Sequence, residues 1–251
     1  MQSISKLLVL VAILMAGLAG AQTPADCEAP SGKYINMTVL SQCPESMPSD
    51  IPHYSCELTF RSNGMVDIDN GFEKYRLAYH AAGDGCRYVI EKATFQGDMY
   101  FVCEGDSVIQ LMDSAWTKLP SASIYKRLKG PDGKDVSFEH DLNDRVIAGE
   151  YAFFKEGQLV PGVITVLSNG QLNGMKPYLG YVLCYAGDCL EETDPPSRTI
   201  ELLDIKGNRE TFAYKTVGGK MAIEFYKLGP SKPDEKGGRS IGPMVYELRT
   251  E

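Results

Sequence analysis

Short runs in which apolar and polar residues alternate, separated by turn-forming residues, dominate this chain. Residues 58–60 and 65–68 alternate in this way on either side of the dipeptide Asn63-Gly64. Successive side chains of a strand point to opposite faces, so the alternation predicts strands with one buried face. Asn-Gly is a strong hairpin signal, and turn signals recur about every 8–12 residues, as in sandwiches and barrels. We therefore predict an all-β fold.

Several motifs occur twice in the same order, which predicts an internal duplication. The pairs are Gly32-Lys33-Tyr34 and Gly149-Glu150-Tyr151, Ser62-Asn63-Gly64 and Ser168-Asn169-Gly170, residues 75–79 and 181–185, and closing strands that end at Arg127 and Arg249. We expect a first domain at 22–128 and a second at 149–251, each of about 100 residues, a common domain size. Residues 129–148 would form a linker or a short helix.

Each copy contains about eight predicted strands in meander order, a number that suits a small closed barrel. Closure pairs the strand edges that would otherwise promote aggregation. We therefore predict two tandem antiparallel meander barrels. A barrel of this strand number either holds one small ligand or is filled by its own side chains.

The opening Gly-x-Tyr and the closing arginine of each copy resemble the lipocalin-like (calycin) barrels of exported bacterial proteins. That family has Gly-x-Trp on its first strand and an arginine that packs across the tryptophan. The resemblance implies that Arg127 stacks on Tyr34 and Arg249 on Tyr151, as cation–π pairs. It covers most of the chain after residue 21. It implies a fold and leaves open a range of functions, from lipid or pigment binding to enzyme inhibition.

The first 21 residues have the pattern of a cleaved signal peptide. Lys6 precedes an apolar segment at 7–18, and Ala19-Gly20-Ala21 supplies the small residues of a cleavage site. We therefore expect a periplasmic or secreted protein of bacterial type with no integral membrane segment in the mature chain. The formal net charge of −8 argues against nucleic-acid binding.

Seven cysteines follow the predicted signal peptide, and in an oxidising compartment such residues are more often bridged than reduced. Because the number is odd, at least one cysteine stays unpaired. Spacing across predicted turns suggests Cys184 with Cys189, Cys86 with Cys103, and Cys43 with Cys56, which leaves Cys27. The pairing remains open at this stage, because sequence alone does not determine connectivity.

Residues that point to a particular chemistry are few. Trp116 is the only tryptophan, and it is a candidate contact for a partner if it lies exposed at a barrel mouth. His140 and Asp144 share one face if their segment is helical, but we interpret them as part of a solvated linker. His80 reads as a strand-end residue. We find no catalytic motif, and we predict no metal site and no cofactor.

The leading hypothesis is an exported, non-enzymatic binding protein that takes a small apolar ligand or a protein partner at its barrel mouths. An alternative is an inhibitor or immunity-type protein that docks a hydrolase through the loop at 41–53, braced by Cys43 and Cys56. A further alternative is an enzyme whose carboxylates meet only in three dimensions. An apolar cavity inside a barrel would favour the first hypothesis, and a filled barrel with a protruding loop the second.

Overall fold

The computed structural model describes residues 28–51, 55–82, 86–94, 97–105, 107–110, 123–187, 193–230 and 238–250. The predicted signal peptide at 1–21 lies outside these residues. Within the described ranges, no helix has the length and apolar character needed to cross a bilayer.

The first half of the chain forms a closed eight-stranded antiparallel barrel in meander order. Its strands are β1 (Gly32–Asn36), β2 (Glu57–Phe60), β3 (Met65–Asp69), β4 (Lys74–Ala81), β5 (Arg87–Thr94), β6 (Gly97–Glu104), β7 (Ser107–Gln110) and β8 (Ser123–Lys126). Strand β1 closes the barrel by pairing with β8, with Ile35 opposite Lys126. The all-β prediction and one predicted barrel are confirmed.

The second half forms a nine-stranded sheet that is open. Its strands are β9 (Gly149–Lys155), β10 (Gln158–Val166), β11 (Leu172–Asn173), β12 (Tyr178–Cys184), β13 (Thr193–Asp194), β14 (Arg198–Asp204), β15 (Arg209–Val217), β16 (Ala222–Leu228) and β17 (Arg239–Arg249). The order is β11-β10-β9-β17-β16-β15-β14-β12, with β13 parallel to the start of β17.

The two ends of this sheet approach each other without forming a ladder. Strand β11 has only two residues, and a single isolated bridge joins Gln171 to Gly180 beside it. One bridge is too little pairing to make a continuous barrel wall. The structure therefore contains one closed barrel and one open sheet, where the sequence predicted two barrels.

Two short helical segments follow β1, and a longer helix joins the halves. They are α1 (Met37–Leu40), a 3-10 turn (Pro48–Asp50) and α2 (Phe138–Val146). Ser137 caps α2, because its side chain accepts a hydrogen bond from the His140 backbone N–H. Leu142 and Val146 of α2 are fully buried. The predicted linker thus includes a helix with one apolar face in the core.

One hydrophobic core spans both halves of the chain. Val39, Leu40 and Met47 from the first half lie in the same buried cluster as α2 and the inner face of the second sheet. The barrel has a separate core of its own. Because residues of the first half complete the packing of the second sheet, the two halves do not bury their apolar surfaces independently.

The barrel and the second sheet open with hairpins of the same register. The paired positions are Gly32 with Phe60, Tyr34 with Leu58, Gly149 with Val166, and Tyr151 with Ile164. At the following turn the Tyr79 N–H donates to the Gly64 carbonyl at 2.9 Å, and the Tyr181 N–H donates to the Gly170 carbonyl at 2.8 Å. Tyr79 therefore corresponds to Tyr181, which corrects the predicted match of residues 75–79 with 181–185.

The closing arginines are not equivalent by register, and neither makes the predicted stack on tyrosine. Lys126 pairs with Ile35, and Arg249 pairs with Ala152, so Arg249 occupies the position of Lys126. The Arg249 guanidinium lies 4.4 Å from the centroid of the Phe154 ring, not over Tyr151.

Arg127 covers Gly32 and not Tyr34. A Cβ built on Gly32 would stand 2.9 Å from Arg127 Cζ, and Gly32 has φ +83°. Glycine adopts this positive φ without strain, and a Cβ at this position would require the end of the Arg127 side chain to move. Arg127 Nε also donates to the Asp135 carboxylate at 3.2 Å.

Candidate functional site

A groove of about 620 Å³ opens between the first-half segment at 42–50 and the second sheet. We call it the interface groove. Its apolar wall consists of Pro195, Pro196, Tyr214, Tyr226 and Ile241. This volume lies within the range of about 300–1,000 Å³ that is usual for small-molecule sites. The groove is open at the surface, so its walls are reachable from solvent.

Arg198, the first residue of β14, holds the segment at 42–50 against the second sheet. Its guanidinium donates to the Pro44 carbonyl at 2.7 Å and to the Glu45 carbonyl at 2.6 Å. The Asp50 carboxylate lies 3.9 Å from the same guanidinium. The planar fork of arginine suits such paired acceptors. Arg198 therefore shapes one end of the groove, and two of its five N–H groups are used in these hydrogen bonds.

A smaller cavity of about 260 Å³ adjoins this end of the groove and shares Pro196, Ser197 and Arg198 with it. Asp50 and Cys184 line its other side. The segment at 42–50 thus separates two openings on the same surface.

Met47 anchors the segment at 42–50 in the shared core. Its side chain is fully buried, and the Tyr214 hydroxyl lies 3.6 Å from Met47 Sδ. Desolvation raises the pKa of Tyr214 well above its usual range. Residues 52 and 53 of the predicted docking loop at 41–53 lie outside the described residues. The part that is described packs on its own chain, with Cys43, Met47 and Pro48 buried.

One lysine, one glutamate and one tyrosine lie on the strands beside the groove. Lys215 of β15 stands opposite Glu224 of β16 in the register. The Tyr226 hydroxyl donates to Glu224 Oε2 at 2.5 Å, and this hydrogen bond raises the pKa of Tyr226 to about 12. The exposed Lys215 ammonium makes no hydrogen bond or ion pair to the described part of the chain.

The barrel interior is occupied by aromatic side chains. The rings of Phe60 and Tyr79 lie 5.1 Å apart, and those of Tyr88 and Phe101 stack at 5.4 Å. Tyr34 meets Phe60 edge to face at 5.6 Å. None of these rings lines the cavities described above. Aromatic rings therefore occupy the described part of the barrel interior, and the interface groove lies outside it.

A third concavity, of about 450 Å³, lies on the outer face of the barrel. His80 Nδ1 lies 3.3 Å from Glu91 Oε1, and both side chains are more than half exposed. Lys92 has φ +52°, and its N–H donates to the Asp98 carboxylate at 2.8 Å. These contacts lie at the register shift in the pairing of β5 with β6, between Ile90 and Thr94. His80 lies at the end of β4, as the sequence predicts.

His140 and Asp144 do not form a ligand set with a third residue. His140 Nε2 lies 2.9 Å from the Ser168 hydroxyl, a contact that links α2 to the turn after β10. Among the described residues, no group of three or more histidine, cysteine, aspartate and glutamate side chains is placed to hold a metal ion.

The three predicted disulfides do not form in this structure. Cys43, Cys56, Cys103 and Cys184 carry thiols. Cys86 is disulfide-bonded, but not to Cys103. Burial raises the pKa of the Cys43 thiol and of the Cys103 thiol to about 11. Spacing across a hairpin was a poor guide here, because bridging also requires a matched pair of Cβ directions.

The predicted contact residue Trp116 lies outside the described residues, as do Cys27 and Cys189. The residues of the groove itself carry no pattern that predicts a site. Arg198 and Lys215 are ordinary charged residues of alternating strands, and Tyr226 reads as a packing residue. The only local signal was Pro195-Pro196, a stiff pair that directs the chain into β14.

Comparison with known proteins adds no relative: no family model matches the chain, and no curated protein or solved structure matches it.

Proposed function

We propose that this protein is a non-enzymatic binding protein that takes a small, largely apolar molecule in the interface groove. The observation that carries the proposal is the groove itself, with a volume of about 620 Å³ and five apolar or aromatic residues in its wall. Sites of this kind usually combine apolar walls with a few polar groups that fix orientation. The aromatic filling of the barrel favours a site outside it over a site at its centre.

The proposal includes export to the periplasm or the cell exterior, which rests on the signal-peptide pattern at 1–21. It also includes descent of both halves from one lipocalin-like unit. The equal registers of the opening hairpins and the matching Tyr79 and Tyr181 hydrogen bonds support the duplication. On this view the second copy opened when the segment at 42–50 and α2 came to fill its inner face.

The inhibitor hypothesis has less support from the geometry. The segment at 42–50 would have to leave Arg198 and withdraw Met47 from the core before it docked a hydrolase. Burying a methionine contributes about 1.5–3 kcal/mol, so this release is costly.

The test is a titration of the mature protein with the neutral dye Nile red, followed by fluorescence. We expect saturable binding by the wild type. Ile241→Asp should weaken it at least tenfold, because it places a carboxylate in the apolar wall. The matched control is Ile205→Asp, at a turn residue that is 74% exposed and outside the groove. Equal binding by the wild type and Ile241→Asp, with both folded by circular dichroism, would contradict the proposal.

A further inference from the structure

We propose that Lys215 makes the interface groove selective for molecules that carry one anionic headgroup on an apolar body. This inference rests on the proposed function, because it names the ligand class of the same groove. Lys215 lines the groove together with the apolar wall, and its ammonium has no partner in the described part of the chain. An anionic headgroup would supply that partner through a charge-assisted hydrogen bond.

Of the other charged side chains near the groove, Arg198 and Glu224 have partners, whereas the Glu45 carboxylate is exposed. Arg198 donates to two backbone carbonyls and lies near Asp50. Glu224 accepts the hydrogen bond of the Tyr226 hydroxyl. Glu45 exposes its carboxylate to solvent and contributes its carbonyl to Arg198. Among the described residues that line the groove, Lys215 is therefore the cation without a hydrogen-bond or ion-pair partner.

Because the whole protein is negatively charged, attraction of an anionic ligand depends on the local positive charge of Lys215. With a formal net charge of −8, the protein repels anions at long range. Salt screens that repulsion beyond about 8 Å at physiological ionic strength, whereas a direct contact with the ammonium is screened much less. The selectivity for an anion thus depends on one side chain at contact distance.

The apolar wall decides where the rest of the ligand lies. Pro195, Pro196 and Ile241 offer no side-chain donor or acceptor, so they favour hydrocarbon. A headgroup at Lys215 leaves the body of the molecule against these residues. A simple inorganic anion would forgo the burial of apolar surface that favours binding of the hydrocarbon body.

Isothermal titration calorimetry with three chain-matched probes tests the inference: octanoate, 1-octanol and octylammonium. We expect the wild type to bind octanoate about tenfold more tightly than 1-octanol, the size of one charge-assisted hydrogen bond. Octylammonium should bind most weakly. Lys215→Gln should remove the preference for octanoate and leave the affinity for 1-octanol unchanged.

Two further variants test whether the effect is specific to the charge at Lys215. Lys206→Gln is the control, because Lys206 is exposed at the turn after β14 and does not line the groove. Glu224→Gln removes the negative charge opposite Lys215 and should strengthen octanoate binding. Equal affinities of the wild type for octanoate and 1-octanol, or a preference that survives in Lys215→Gln, would overturn the inference alone. Failure of all three probes to bind would overturn the groove as a site, and the inference with it.

Discussion

Glu57 of the barrel caps the helix that joins the two halves: its Oε1 accepts a hydrogen bond from the Phe138 backbone N–H at 2.6 Å. The other carboxylate oxygen lies 2.9 Å from Lys33 Nζ. A carboxylate at a helix N-terminus satisfies an otherwise unpaired N–H and interacts favourably with the helix dipole. Because Glu57 is only 7% exposed, this contact forms in a poorly solvated place and couples the barrel to α2.

Replacement of Glu57 should therefore destabilise the whole chain. We expect Glu57→Ala to lower the free energy of unfolding by about 1–3 kcal/mol, because a buried N–H and Lys33 lose their acceptor. Urea unfolding followed by circular dichroism measures the change. Glu150→Ala removes an exposed glutamate and should stay within about 0.5 kcal/mol of wild type. Equal effects of the two variants would show that the cap contributes nothing.

Met47 should matter more than any exposed methionine. It is fully buried where the first half enters the shared core, so Met47→Ala should cost about 2–5 kcal/mol. Met221 is 66% exposed and provides the matched control, with a loss below about 0.5 kcal/mol for Met221→Ala. Thermal unfolding of both variants tests this prediction. If the segment at 42–50 is only loosely held, both variants will shift the Tm by a small amount.

Gly32 should tolerate substitution less well than another glycine of similar conformation. Gly32 and Gly157 have φ +83° and +79°, but a Cβ meets Arg127 only at Gly32. Both alanine variants should lose about 1 kcal/mol to backbone strain, and Gly32→Ala should lose slightly more because the end of the Arg127 side chain must move away. The double variant Gly32→Ala/Arg127→Ala isolates that contact. An identical loss at both glycines would refute it.

Acid should weaken the hydrogen bonds around Asp67. Hydrogen bonds from Arg76 and Arg61 hold the pKa of Asp67 at about 2, below the usual value of about 3.9. A lowered folded-state pKa stabilises the protein above the unfolded-state pKa, and this contribution is lost as the pH falls from about 4 towards 2. Since the group is largely solvated, the contribution should not exceed about 1 kcal/mol.

Urea unfolding of wild type and Asp67→Asn at pH 7 and pH 2.5 tests this expectation. The difference between them should shrink at the lower pH. Asp144→Asn, at an exposed residue of α2, serves as the control. If the difference in unfolding free energy between wild type and Asp67→Asn grows as the pH falls, the prediction is wrong.

The thiols of Cys43 and Cys103 should be reduced and should react slowly with alkylating reagents. Cys43 and Cys103 carry thiols with pKa values near 11, so little thiolate exists at neutral pH. We expect both to be alkylated without reductant after unfolding, and slowly in the native protein, with a rate that rises as the pH approaches 11. Peptide mass spectrometry locates the labels. Bridges at both cysteines would instead restore the pairings suggested by spacing.

Local periodicity determined much of this fold. Alternation and Asn-Gly turns identify the hairpins because a strand buries one face, and the repeated Gly-x-Tyr marks where each half begins. The physical cause lies within a few residues of each position, so the sequence shows it directly.

Tertiary structure decided the rest. The inner face of the second sheet packs against α2 and against Met47, which lies far earlier in the chain. Arg198, Lys215 and Ile241 line one groove only because β14, β15 and β17 are brought beside the segment at 42–50. Many tertiary arrangements satisfy the same local sequence preferences, and long-range packing selects the one that forms. No periodicity in the sequence therefore predicts it.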